Sequence, residues 1–175
     1  MSLVAELERL ADGLGGDAAG AATISWPSVA ERIAKNLGVR PDEVGILGLS
    51  ARWRHLYFLA PEALKNVGFI PLTSNSALAA RTARDSRPEI NNNFTAAKHA
   101  TVFEGVKTSG EAAEAIQKII SAPILAGEKV IGVIQISRKG ASGRNVGPDF
   151  TPGDLGKVLA ICKPLGKLMQ HVASE

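Results

Sequence analysis

The run Ser121–Gly140, SAPILAGEKVIGVIQISRKG, decides the fold. Two apolar stretches flank a turn centred on Gly127, which is the pattern of a long β-hairpin. The second arm is apolar on both of its faces, yet Gly132 and Gln135 interrupt it. Side chains alternate along a strand, so Gly132 shares a face with Ile134 and Ile136, while Gln135 and Ser137 point the opposite way. A missing side chain at Gly132 lets another backbone or a ligand approach closely. A buried amide at Gln135 must find partners, and a ligand is one kind of partner. The plainer accounts are relief of crowding beneath a helix for Gly132 and a bond to a neighbouring loop for Gln135.

The remaining chain bounds what this hairpin can belong to. A length of 175 residues at 45% hydrophobic content suits one globular domain with a single sizeable core. The formal net charge is only +3, from 20 basic and 17 acidic residues. Arg81, Arg84 and Arg87 form the longest basic stripe, and Asp85 and Glu89 interleave with it, so no nucleic-acid partner is expected. One cysteine, Cys162, excludes an intrachain disulfide and a Cys-rich zinc site. The start, MSLVAELERL, carries Glu6 and Glu8 where a signal peptide needs positive charge. No apolar run approaches the ~18 residues of a membrane span. A cytoplasmic protein without membrane contact is the expectation.

Leu3, Leu7, Leu10 and Leu14 stand at helical spacing and predict a first helix. The stretch GLGGDAAGAATIS reads as a linker, which assigns residues 1–27 to a helix plus flexible connection and 28–175 to one domain. Ser28 and Glu31 form a capping-box pattern before Val29, Ile33 and Leu37, with Gly38 placed to end that helix. EVGILGLS and RHLYFLA then predict an antiparallel strand pair. Asn75 and Ser76 are placed to cap a helix over SALAARTARDS, which Pro88 stops. PEINN is a short strand, and residues 94–115 are ambiguous. Thr151-Pro-Gly-Asp154 opens a last helix in which Leu155, Val158, Cys162, Leu165, Met169 and Val172 make a heptad-like seam. Pro164 is expected to kink it.

Three segments together resemble the GAF domain family. AIQKIISAPILAGEKVIGVIQISRKG is similar to the family's signature hairpin, DFTPGDLGKVLAICKPLGKLMQHV to the entry into its last helix, and LTSNSALAARTARDSRPEINNN to its middle segment. The likeness covers roughly residues 28–173. It implies an α+β fold of the GAF/PAS-like, profilin type: a central five- or six-stranded antiparallel sheet, its first and fifth strands adjacent at the centre. The terminal helices would pack on one face, and the middle helices and loops would roof a pocket on the other. A strand buried between two such layers must be apolar on both sides.

The family's known chemistries each demand residues that can be checked. Cyclic-nucleotide binders carry an Asn-Lys-x-Phe element and a later Asp-Glu pair; NNNFTAAKHA stands in the corresponding region, but the Asp-Glu pair is missing. Bilin binders need a pocket cysteine, whereas Cys162 falls on the apolar stripe of the last helix. Members that reduce free methionine sulfoxide resolve one cysteine with a second, and a single cysteine cannot complete that cycle. His55, His99 and His171 lie in distant segments and form no metal-ligand spacing. No nucleophile elbow or phosphate loop is present. The expectation is a protein that is not an enzyme and needs neither cofactor nor metal.

What remains is a sensory or regulatory domain for a small polar or anionic molecule, with the terminal helices relaying the bound state. Its candidate ligand residues are Trp53, Tyr57, Asn75, Ser76, Arg81, Arg84, Asn92, His99, Phe103 and Gln135. Arg81 and Arg84 share a helix face and, with the positive helix start, would favour an anion. The alternative is a dimerisation or protein-interaction module with an empty pocket. Its homodimer helix residues would be Leu3, Leu7, Leu10, Leu155, Val158, Cys162, Leu165 and Met169, unless the seam packs on the protein's own sheet. Either reading leaves the output to a separate protein.

Overall fold

The two apolar arms around Gly127 pair along their whole length. In the computed structural model they are β5 (Ala115–Ala126) and β6 (Lys129–Gly140), antiparallel, with Gly127 left-handed at φ +63° where the chain reverses. The structure describes residues 2–14, 25–52, 54–61, 69–75, 77–94, 115–140 and 147–170.

Four further strands complete the sheet: β1 (Val44–Ser50), β2 (His55–Ala60), β3 (Ile70–Pro71) and β4 (Glu89–Asn91). The order is β3-β2-β1-β6-β5-β4, six strands, every pair antiparallel. The sixth strand is the two-residue β3, too short to leave a periodic signal. With β3 counted, the hairpin's second arm is β6 rather than a fifth strand, and it lies beside β1 at the centre as expected.

The helices divide between the faces. α1 (Leu3–Leu14), α2 (Trp26–Leu37) and α4 (Pro152–Met169) cover one face, where Leu7, Ile33 and Leu165 pack with Ile46, Ile124, Ile134 and Ile136. α3 (Leu78–Asp85) covers the other, where Leu78, Ala79 and Ala80 pack with Leu47, Phe58, Ile119 and Val133. Two cores on one sheet explain why β6 is apolar on both sides. This is the α+β arrangement that the sequence implied.

Two helix starts differ from the sequence reading. α2 begins at Trp26, and its cap is Ser25, whose Oγ accepts from the Ser28 N–H at 3.4 Å. Pro27 fits the first turn because its missing donor has no helical partner to lose. Ser28 therefore lies inside the first turn rather than before it; Gly38 ends the helix at φ +70°, as expected. α3 is capped by Ala77 without a side-chain bond, and the Ala77 N–H donates instead to Ser74 Oγ at 3.2 Å. Asn75 is an exposed loop residue, and Ser76 lies outside the described residues.

α4 opens where expected, and it carries a reciprocal cap: the Asp154 N–H donates to Thr151 Oγ1 at 3.1 Å, and the Thr151 N–H donates to Asp154 Oδ2 at 2.9 Å. The helix continues through Pro164 to Met169. Val158, Cys162, Leu165 and Met169 are buried in the chain's own core, with Leu155 half-buried against it. Leu3 and Leu7 are buried beside them, whereas Leu10 is 42% exposed. The seam is thus occupied by the protein's own sheet. Val172 lies outside the described residues.

Gly132 follows from the same packing. A Cβ there would collide with Met169 Cε and with the Leu47 carbonyl oxygen. The plainer account of Gly132 therefore stands: it admits α4 to the sheet.

A polar staple holds the far end of β6. Glu43 is buried, and its carboxylate accepts from the Arg40 N–H at 2.8 Å and the Lys139 N–H at 2.6 Å. Its carbonyl accepts from Ser137 Oγ at 3.1 Å. Ser137, on the same face as Gln135, is thereby committed.

Candidate ligand site on the α3 face

Gln135 is fully buried at the centre of the sheet. Its register neighbours are Gly45 on β1 and Ser121 on β5, and Ser121 in turn lies opposite Glu89 on β4. Directly opposed residues share a face in an antiparallel pair, so Gln135, Ser121 and Glu89 form a polar row facing α3. Val133 lies on that face among the apolar residues of the second core.

The row is joined to α3 by hydrogen bonds whose direction can be worked out. Thr82 Oγ1 donates to the Leu78 carbonyl one turn earlier at 2.9 Å, which uses its only hydrogen. Ser121 Oγ, 2.7 Å from Thr82 Oγ1, must then be the donor of that pair. Having spent its hydrogen, Ser121 accepts from Gln135 Nε2 at 3.2 Å. The relay runs Gln135 → Ser121 → Thr82 → Leu78. It fixes the amide orientation and leaves Gln135 Oε1 at the end of the relay, buried and, among the described residues, without a hydrogen-bond partner. A buried carbonyl oxygen left unpaired costs about 1–3 kcal/mol.

The arginines that suggested an anion are otherwise engaged. Arg81 Nη2 pairs with Glu89 Oε2 at 2.7 Å on the exposed edge of the α3 face. Arg84 turns away and donates through Nη1 to the Leu72 carbonyl at 2.5 Å and the Ser74 carbonyl at 2.6 Å, bracing the loop before α3. A shallow open groove of about 360 Å³ beside α3 is lined by Arg81, Thr82, Asp85, Arg87, Pro88 and Glu89; Thr82 links it to the relay, and Arg84, Ser121 and Gln135 do not line it.

Asn92 has a different task from the one expected. Its Nδ2 donates to the Phe150 carbonyl at 2.9 Å, and its Oδ1 accepts from the Phe150 N–H at 2.8 Å. This two-way clamp ties the turn after β4 to the residue preceding the α4 cap. Phe150 is buried in the terminal-helix core, with the Arg138 guanidinium 4.8 Å over its ring. Tyr57 lies on the opposite face from Gln135: its ring covers Gly48 and packs partly against the terminal-helix core. Strand parity places Tyr57 on one face or the other only once the register is known, and β1 and β2 shift register between Ile46 and Leu47. Trp53, Ser76, His99 and Phe103 lie outside the described residues.

Of the expected ligand residues, the described structure leaves Gln135 alone pointing an unused polar atom into the protein. Sequence reasoning missed Ser121 and Thr82. Each carried a signal: Ser121 is the lone hydroxyl within ISAPIL, and Thr82 interrupts an alanine-rich helix. Cys162 is buried under α4 on the opposite face, where desolvation pushes its thiol up to about 12. No described helix is long and apolar enough to cross a membrane.

Solved structures resemble this architecture over nearly the whole chain. The GAF domain of a phosphoenolpyruvate-protein phosphotransferase from Acinetobacter superposes with a TM-score of 0.64 at 16% identity, covering 94% of this chain and 90% of that one. Residues 122 to 287 of a methyl-accepting chemotaxis protein give 0.62 at 15% identity, covering 92% and 94%. Free methionine-R-sulfoxide reductase from Neisseria meningitidis, in complex with its substrate, gives 0.61 at 15% identity, covering 94% and 86%. No protein-family model matches the sequence, and no curated protein does. The chain has the GAF-domain fold. That fold is shared by a phosphotransferase domain, a segment of a chemotaxis protein and a reductase, so individual residues must separate them.

Proposed function

We propose that this chain is a non-catalytic sensory or regulatory GAF domain, which binds a small molecule on the α3 face and passes the bound state to its terminal helices. The observation that carries the reading is the unpaired, fully buried Gln135 Oε1 at the end of the relay to α3. A buried acceptor of this kind calls for a donor, and a small molecule bound on this face would supply one. The non-catalytic part is supported by the lone thiol, protonated, buried and on the far face from Gln135.

The Asn92–Phe150 clamp supplies a path for the signal. α3 leads directly into β4, β4 into Asn92, and Asn92 holds the entry to α4. A ligand that shifts α3 would move that entry only if it binds the two arrangements with different affinity. A homodimer on the terminal helices would use their outward side, where Leu10 and Leu159 are each 42% exposed, since the periodic seam is already buried.

Native mass spectrometry of gently purified protein, joined to thermal shifts over a metabolite panel, tests the reading. A co-purified small molecule, or a compound that raises the melting temperature of the wild type more than that of Gln135→Met, supports it. Absence of both contradicts it.

A further inference from the structure

We infer that the α3-face site selects its ligand through a neutral N–H group, of the amide or lactam kind, donated to Gln135 Oε1. This rests on the reading that the face holds a ligand; it adds which chemistry the ligand must present, and names Gln135 as the residue that determines specificity.

Both hydroxyls of the relay give their hydrogens toward α3, and Gln135 gives one of its two amide hydrogens the same way. Thr82 gives its hydrogen to Leu78, Ser121 gives its own to Thr82, and the Gln135 amide gives one to Ser121. The unpartnered atom at that end, Oε1, is an acceptor, and only a donor satisfies it. Ser137, the next hydroxyl on this face, is unavailable because it donates to the Glu43 carbonyl. A carboxylate or phosphate would set its lone pairs against those of Oε1, so anions are rejected. Arg81 is committed to Glu89 and Arg84 to backbone carbonyls, while Arg87 lies on the open groove at the exposed edge of α3.

A cation is disfavoured for a complementary reason. Gln135 is fully buried, and a charge brought beside it needs a counter-charge. The two described carboxylates tied to this row, Glu43 through Ser137 and Glu89 by register, are engaged. Glu43 accepts two backbone N–H groups and lies 3.7 Å from Arg40 Nε, while Glu89 pairs with Arg81. A neutral N–H completes the acceptor without placing an unbalanced charge in the interior.

The test uses a matched pair, 2-pyrrolidinone and N-methyl-2-pyrrolidinone, which share a ring and a carbonyl but differ in the N–H. Acetate serves as the anion. Each is titrated into ¹⁵N-labelled protein while the Thr82, Ser121 and Gln135 signals are followed. The expected result is saturable shifts with 2-pyrrolidinone, at least tenfold weaker binding of the N-methyl compound, no saturable shift with acetate, and loss of the lactam response in Gln135→Met. Equal binding of the two lactams to the wild type, or stronger binding of acetate, would overturn the donor requirement while leaving a ligand site in place. No shift at these residues with any of the three overturns the inference, and the metabolite panel then decides separately whether the sensory reading survives. The wild-type comparison stands even if Gln135→Met does not fold.

Discussion

Ser121 Oγ and Thr82 Oγ1 lie 2.7 Å apart, although 39 residues separate them in sequence. This contact joins the middle of the sheet to α3 and sets the proton direction of the whole relay. Replacing Thr82 with Val removes the acceptor of the Ser121 hydroxyl. Ser121 is then free to donate to Gln135, whose amide turns over and presents its NH₂ instead of its oxygen. Thr82→Val is expected to cost about 1 kcal/mol by urea denaturation. It should also abolish the discrimination between 2-pyrrolidinone and its N-methyl derivative, because both offer a carbonyl. Retained discrimination would show that Thr82 does not set the amide.

Gly132 tests the close packing of α4 on the sheet. Gly132→Ala places a methyl against Met169 Cε and the Leu47 carbonyl. A loss of about 2 kcal/mol or more is expected, within the range of overpacking. Met169→Ala should not rescue it, because the Leu47 backbone cannot withdraw. Rescue to wild-type stability in the double variant would mean that the side chain alone was the obstacle.

Asn92 tests the link between the two faces. Asn92→Ala leaves the Phe150 N–H and carbonyl without their amide partner, a loss of two hydrogen bonds worth about 2 kcal/mol together. Faster hydrogen exchange is expected at the start of α4, residues 151–156, ahead of the sheet. Uniform acceleration across the chain would instead mark Asn92 as a general stability residue with no special hold on α4.

Cys162 predicts a pH dependence. Burial raises its pKa from 9.0 to about 12 in the folded chain, so the folded state keeps its proton more tightly than the unfolded state does. Its contribution is fully present below pH 9 and is lost as pH rises toward 12. The slope is at most about 1.4 kcal/mol per pH unit. Urea midpoints between pH 8 and 11 should fall more steeply in the wild type than in Cys162→Ala. An alkylating reagent at pH 8 should modify Cys162 only after unfolding. Rapid modification of the native protein would place the thiol in an accessible, activated setting and reopen thiol chemistry.

The sheet was legible because period-two alternation in β6 is local: Gly132, Ile134 and Ile136 lie on one face, and Val133, Gln135 and Ser137 on the other. Burial on both faces followed from the same pattern. What was not legible depended on contacts between distant segments. The roles of Arg81, Arg84 and Asn92 turn on partners 8 to 58 residues away, which no local pattern encodes. The α2 start is not legible locally because Ser25 and Ser28 both offer a hydroxyl, and only the helical path of Pro27 decides between them. The seam on α4 was correctly periodic, but periodicity cannot say whether a sheet or a second subunit fills it.

A crystal structure of the chain, purified without denaturation and soaked with 2-pyrrolidinone, tests the central claim most directly. The account predicts density for the lactam with its nitrogen about 2.9 Å from Gln135 Oε1, and the hydroxyls of Ser121 and Thr82 in place behind it. Gln135 Oε1 bonded to a donor from the protein itself, with side chains filling the space around it, would contradict the account.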